Sequence, residues 1–184
     1  MSVSYTDDVL KKPPRARPMK NTLFSLQLAA IILFAVFFFS AGRLSASTKM
    51  PVFSLPDVTD GKTVDSREFQ GKVLLVTFFA TWCPPCMEEV PSLVGLQKEL
   101  ARDGFSVIGL SVDEGGPGVV GKMVVKMGIN YPVAMADRGT ITSFGGVYGI
   151  PVSFLVNQNG NIVKKYTGYV PPSVLANDIK TVMK

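Results

Sequence analysis

The chain has 184 residues, no histidine and two cysteines, with 47% hydrophobic and 18% charged residues. That size suits one domain with an appendage, and the composition excludes wholesale disorder. Without histidine there is no Ser-His-Asp or Cys-His catalysis, and two cysteines complete neither a four-cysteine zinc site nor an all-cysteine iron–sulfur site.

The net charge of +5 is unevenly spread. Residues 1–48 carry +4 and residues 49–184 only +1. A domain that grips nucleic acid is itself strongly basic, so no nucleic-acid partner is expected. The basic residues Lys11, Lys12, Arg15, Arg17 and Lys20 precede an almost wholly apolar run, Leu23 to Ala41. At about 1.5 Å per residue such a helix spans roughly the hydrocarbon thickness of a bilayer. The one-sided basic flank places the N-terminus in the cytoplasm and sends the remainder across. The expected organisation is a cytoplasmic tail (1–22), a transmembrane anchor (23–42), a linker (43–49) and a folded domain (50–184). The competing reading of 23–42 is a cleaved signal peptide, with Ser45, Ala46 and Ser47 as a cleavage site. The long polar lead favours the anchor. No cysteine lies nearby for lipid attachment.

In the domain, two short extended segments are expected near Val52–Leu55 and Lys62–Val64, around the turn dipeptide Asp60-Gly61. Asp65 and Glu68 have the spacing of a capping box. Val73 to Ala80 (VLLVTFFA) reads as a strand buried on both faces, the habit of a parallel sheet. A helix is expected from Cys83 to Arg102, stopping at Gly104. A second buried strand follows over Phe105–Asp113, and another helix from Gly118 to Met127. Extended chain is expected at Tyr131–Ala136 and a short helix at 140–146. Val152–Val156 and Ile162–Tyr166 read as a hairpin across Asn159-Gly160. A helix over Pro172–Met183 closes the chain. The order describes an α/β fold, a mixed sheet flanked by helices.

The chemistry concentrates at Trp82-Cys83-Pro84-Pro85-Cys86, directly after a buried strand and at the start of a helix. A sulfur there meets unsatisfied backbone N–H groups and the positive end of the helix dipole, which favours thiolate. The thiolate is the nucleophile of disulfide exchange. Two intervening residues put the second thiol one turn away, in reach of a mixed disulfide. Pro84 and Pro85 have fixed φ and stiffen the first turn, and Pro85 removes a donor that could have served the Cys83 sulfur. The alternatives are a structural disulfide, whose small ring gives little loop-closure stabilisation, and half a metal site that nothing in the chain completes.

Phe79-Ala80-Thr81-Trp82-Cys83-Pro84-Pro85-Cys86 resembles the active site of the thioredoxin superfamily. Val147 to Val156, with Ile150-Pro151, resembles that superfamily's cis-proline segment, and Asn159–Val163 with Tyr166-Thr167-Gly168 its terminal hairpin. With the N-terminal anchor, the whole is most similar to the TlpA/ResA-like, membrane-tethered thiol-disulfide oxidoreductases. The resemblance implies Cys83 as the attacking thiol and Cys86 as the resolving, more buried one. It implies a cis Pro151 facing the dithiol, leaving the Ile150 backbone free to pair with an extended substrate, and places Trp82 beside it. Pro91 matches a helix-kinking proline.

Glu89, three residues past Cys86, shares that face of the helix and matches an acidic residue that influences the dithiol's proton transfers. Its plain alternative is a solvated helical glutamate. Thioredoxins place a buried aspartate six residues before the first cysteine. Here that position is Thr77, which cannot ionise, so the acid–base role falls to Glu89 or water. Ser153 stands where threonine is common.

Gly116 to Lys122 matches GxxxxGK, but Met123 replaces the Mg²⁺-binding Ser or Thr and Pro117 deletes an N–H, so nucleotide binding is not expected. Met123 and Met127 read as core packing. No cofactor or metal is expected. The implied activity is reduction of disulfides in exported proteins on the periplasmic face of the inner membrane, with apocytochrome c as the typical client and a membrane protein as electron donor. A disulfide oxidase or isomerase remains the chief alternative, because direction depends on potential and partner. Thiol peroxidase and metallochaperone are weaker ones.

Overall fold

A computed structural model describes residues 48–184. The expected tail, the anchor at 23–42 and linker residues 43–47 lie outside the described residues. Among the described residues no helix is long and apolar enough to cross a membrane.

The strands are β1 (Thr48–Lys49), β2 (Ser54–Pro56), β3 (Thr63–Asp65), β4 (Val73–Phe79), β5 (Phe105–Ser111), β6 (Val133–Met135), β7 (Val152–Val156) and β8 (Asn161–Thr167). The helices are α1 (Pro84–Leu100), α2 (Pro117–Met127), α3 (Arg138–Ser143) and α4 (Pro172–Val182), with short 3-10 turns at Ser66–Phe69 and Ala101–Asp103. Six strands form one sheet in the order β1-β8-β7-β4-β5-β6, and β2 pairs with β3 separately. β4, β5 and β6 run parallel, and β7 is antiparallel to β4.

The two runs read as buried strands are the centre of this sheet, with all seven residues of β4 and of β5 buried. Alternate residues of β4 face opposite ways, as a pleated strand requires. Val73, Leu75 and Phe79 join a core closed by α1, α2 and α4. Leu74, Val76 and Phe78 join a second core, where the Phe144 ring lies 5.2 Å from Phe78 and 5.0 Å from Phe154. Covering both faces forces the near-continuous apolar sequence of the central strands.

Two local expectations are altered in detail, and two further features gain a structural account. Thr48 and Lys49, read as linker, pair with Ile162 and Asn161 and so belong to the sheet. Asp65 does cap the turn after it, but its carboxylate takes the Arg67 N–H and the Arg67 guanidinium rather than forming a reciprocal box with Glu68. A 3-10 turn brings the second N–H, not the third, onto the cap. The expected hairpin across Asn159-Gly160 is present, β7 pairing antiparallel with β8. The loop holds four residues, with the Asn157 side chain accepting the N–H groups of Asn159 and Asn161. Gly121 of the GxxxxGK stretch is a packing glycine, since a Cβ there would lie 2.8 Å from the Val58 carbonyl oxygen.

Candidate active site

The sheet delivers two loops to one place. β4 ends at Phe79, and the chain turns through Thr81 and Trp82 with the Cys83 N–H donating to Ala80 O at 3.2 Å. Pairing of β7 antiparallel to β4 puts Phe78 beside Val152, so the residue before Val152, Pro151, arrives at the same end. The Ile150–Pro151 peptide is cis.

Cys83 is the N-cap of α1, in extended backbone, and its sulfur accepts the Cys86 N–H at 3.3 Å. Pro84 and Pro85 fill the first two helical positions and carry no N–H. Cys86 is therefore the first residue of the helix able to donate to that sulfur. The two cysteines are joined in a disulfide. In this oxidised form both cysteines are buried, Cys83 4% and Cys86 3% exposed. Trp82 is well exposed beside them.

Glu89 is buried. Its Oε1 accepts the Val170 N–H at 2.7 Å. Burial pushes its carboxyl above the ordinary carboxylate range, the Val170 N–H works against that, and the Glu88 charge adds to it. The plain alternative of a solvated helical glutamate is thereby excluded. Cys86, Glu89, Thr77, Tyr131 and Pro151 line one cavity of about 10 Å³, room for about one water. Thr77 Oγ1 accepts the Ser153 hydroxyl at 2.9 Å, so the two departures from the family pattern satisfy each other.

Pro151 O accepts the Gly168 N–H at 2.8 Å, whereas neither N–H nor C=O of Ile150 makes a hydrogen bond among the described residues. The Ile150 backbone is thus unpaired at the dithiol's side. Pro91 lies within α1 on its exposed side.

Two residues at this end carried no sequence signal. Asp113, just past β5, accepts the Thr81 N–H at 2.8 Å, the Thr81 hydroxyl, and the Gly115 N–H at 2.8 Å. Burial works to raise its carboxyl, but these hydrogen bonds outweigh it and hold the group below the usual carboxylate range. Asp113 therefore ties the turn before Cys83 to the neighbouring strand. Tyr131 is the other. Its ring packs over Gly109, whose missing side chain makes the room, and burial followed by the nearby Glu89 charge keeps its hydroxyl neutral.

The Redoxin family profile matches residues 45–182. The chain belongs to the Redoxin family. It is 30% identical over 133 residues to the thiol-disulfide oxidoreductase ResA of Bacillus subtilis (strain 168), covering 72% of this chain and 73% of that protein. Among solved structures, a thiol:disulfide interchange protein of the thioredoxin family from Chlorobium tepidum TLS superposes with a TM-score of 0.70 at 36% identity. It covers 75% of this chain and 97% of its own. StoA from Bacillus subtilis shares the fold, with a TM-score of 0.59 at 22% identity, covering 70% of this chain and 96% of its own. This Redoxin-family chain is a thioredoxin-like, TlpA/ResA-like thiol-disulfide oxidoreductase, with the α/β mixed sheet expected of one.

Proposed function

We propose that this oxidoreductase acts outside the cytoplasm, held by the apolar segment 23–42, and reduces disulfides in exported proteins, apocytochrome c among them. The basic residues before that segment and the ResA relatives support this placement. In the reduced protein the Cys83 thiolate attacks one sulfur of a client disulfide. The client S–S bond breaks, its other sulfur leaves as a thiolate and takes up a proton, and a mixed disulfide forms. Cys86 gives its proton to the Glu89 carboxylate and attacks the Cys83 sulfur. The client's second thiolate departs, and the Cys83–Cys86 disulfide seen here remains. Two electrons have passed to the client, and a membrane dithiol donor restores the pair. The Ile150 backbone holds the client segment by strand-like pairing.

The observation that carries this reading is the position of Cys83. It sits at the N-cap of α1 with a backbone N–H on its sulfur, while Cys86 shares a cavity with Glu89 and Pro151. Replacing Cys86 with serine should trap clients on Cys83 as mixed disulfides. The thiol state in growing cells sets the direction. A dithiol held mostly reduced agrees with a reductase, and one held mostly as disulfide overturns it in favour of an oxidase.

A further inference from the structure

A cavity of about 320 Å³ opens where β1, the β7–β8 loop and the start of β4 meet, at the end of β4 away from Cys83. Leu74 and Val156, both buried, form its floor. Its lining includes Lys49, Arg67 and Lys72 and no carboxylate. The Arg67 charge is matched by Asp65, which pairs with it from outside the lining. Lys49 and Lys72 are exposed and make no ion pair among the described residues. Both side chains are placed all the same. Lys49 Nζ donates to Asn159 O at 2.6 Å, and Lys72 Nζ lies 5.4 Å from the centre of the Phe69 ring, within cation–π reach. Val52 belongs to the same lining and is 68% exposed. The cavity thus combines two unneutralised ammonium groups, an apolar floor and an exposed apolar side chain.

This is also where the chain enters the domain, since Lys49 belongs to β1. On the anchored reading of 23–42, only residues 43–47 separate the bilayer from Thr48. At full stretch those residues cover roughly 17 Å, of which the headgroup layer takes about 6 Å. Lys49 is therefore kept within about 10 Å of the headgroups, on the order of the Debye length at physiological salt. The dithiol end has the opposite character. Glu88, two residues after Cys86, and Glu114, next to the Asp113 that holds the Thr81 turn, are exposed and make no ion pair among the described residues. An anionic surface attracts the first end and repels the second.

We propose that this cavity seats the phosphate headgroup of an anionic phospholipid, so that the domain stands on the bilayer at its β1 end with Cys83 turned away from the lipid. This rests on the reading of 23–42 as a membrane anchor and adds the surface on which the anchored domain docks. The anionic phosphate oxygens accept from Lys49 and Lys72 Nζ, while Val52 and the floor of the cavity meet the carbon chain next to the headgroup. Each lysine beside an anionic surface is worth roughly a fivefold change in partition. A zwitterionic headgroup brings its own cation to the two lysines and gains less. Free phosphate offers the same oxygens but neither the apolar contact nor the high local concentration that tethering imposes. Docked this way, the dithiol faces the aqueous space from which clients arrive.

The test reconstitutes the full chain in vesicles of phosphatidylcholine, alone or with added phosphatidylglycerol. Trp82 is the chain's only tryptophan and adjoins Cys83, so energy transfer from it to dansyl-labelled headgroups reads how near the dithiol end comes to the bilayer. Anionic vesicles should lower that transfer relative to neutral ones. They should also slow acetylation of Lys49 and Lys72, read by mass spectrometry, about three- to tenfold while leaving Lys122 and Lys165 unchanged. Lys49→Gln combined with Lys72→Gln should restore the transfer seen in neutral vesicles. Equal transfer in the two vesicles, or a difference that the double variant preserves, overturns the headgroup seat. Equal protection of all four lysines overturns it too, since a general surface potential would then suffice. Protection of Lys49 and Lys72 by inorganic phosphate in neutral vesicles, at matched ionic strength, overturns it in favour of a soluble anion. A chain that fails to float with the vesicles once detergent is removed sinks the anchor reading, and the headgroup seat with it.

Discussion

Glu89 Oε1 receives the Val170 N–H at 2.7 Å, across 81 residues of chain. One carboxyl thus joins the helix behind Cys86 to the loop that supports Pro151. Because burial raises its pKa, the folded protein holds the Glu89 proton more tightly than the unfolded chain. Its contribution to stability is full below the ordinary carboxylate range and is lost as pH rises through the raised value. Glu89→Gln keeps an acceptor for Val170 but cannot ionise. From about pH 4 upward, urea midpoints of the natural protein should fall relative to Glu89→Gln, and parallel midpoints would contradict the raised pKa. Glu89→Leu, which leaves the Val170 N–H unpaired, should cost about 1–3 kcal/mol. Glu89→Gln should also change the pH profile of the resolving step, and an unchanged profile removes Glu89 from proton transfer.

The paired prolines make a second prediction. Of the two positions an N-cap side chain can accept from, Pro85 withholds one N–H from the Cys83 sulfur and leaves that of Cys86. Pro85→Ala restores one donor where thiolate charge develops. The pH midpoint for alkylation of Cys83 in the reduced protein should drop by about half a unit to one unit, corresponding to about 1 kcal/mol of added hydrogen bonding. A midpoint that stays put or rises would show that the donor does not reach the sulfur.

Asp113 behaves in the opposite sense to Glu89. Its carboxyl is held below the usual range, so its support for the Thr81 turn is present above that range and fades as pH falls through the depressed value. Asp113→Ala leaves the Thr81 and Gly115 N–H groups without their partner and should cost about 1–3 kcal/mol near neutral pH. The gap between the two proteins should narrow in acid. Denaturation curves from pH 7 down to about pH 3 check both the size and the slope.

Gly121 tests packing. A methyl group there meets the Val58 carbonyl, a backbone atom that cannot swing aside. Gly121→Ala should lower stability by about 1–3 kcal/mol through separation of α2 from the segment around Val58, even though alanine is the better helix former. A stabilised variant would mean that the segment yields freely.

The parts legible in the sequence are those governed by near neighbours. Val73 to Phe79 announces a central strand because both of its faces are apolar, and Cys83-Pro84-Pro85-Cys86 announces a helix start because proline is confined to the first turn. The family resemblance carried Pro151. What stayed hidden is held by distant partners. No local pattern links Asp113 to Thr81 or Glu89 to Val170, and Tyr131 reads as ordinary extended chain until the sheet sets it beside Glu89 and Cys86. The short β1 was illegible for the same reason, since two polar residues become a strand only when β8 offers an edge.

That edge governs how the domain bears load. Thr48 pairs with Ile162, Ile162 with Val156 and Val156 with Leu74, which places the incoming chain at the start of β4. The dithiol follows the other end of β4, roughly 20 Å away. Tension arriving through the incoming chain is therefore taken up by the β1–β8 pairing, and the loops that hold Cys83 and Pro151 are left mechanically quiet.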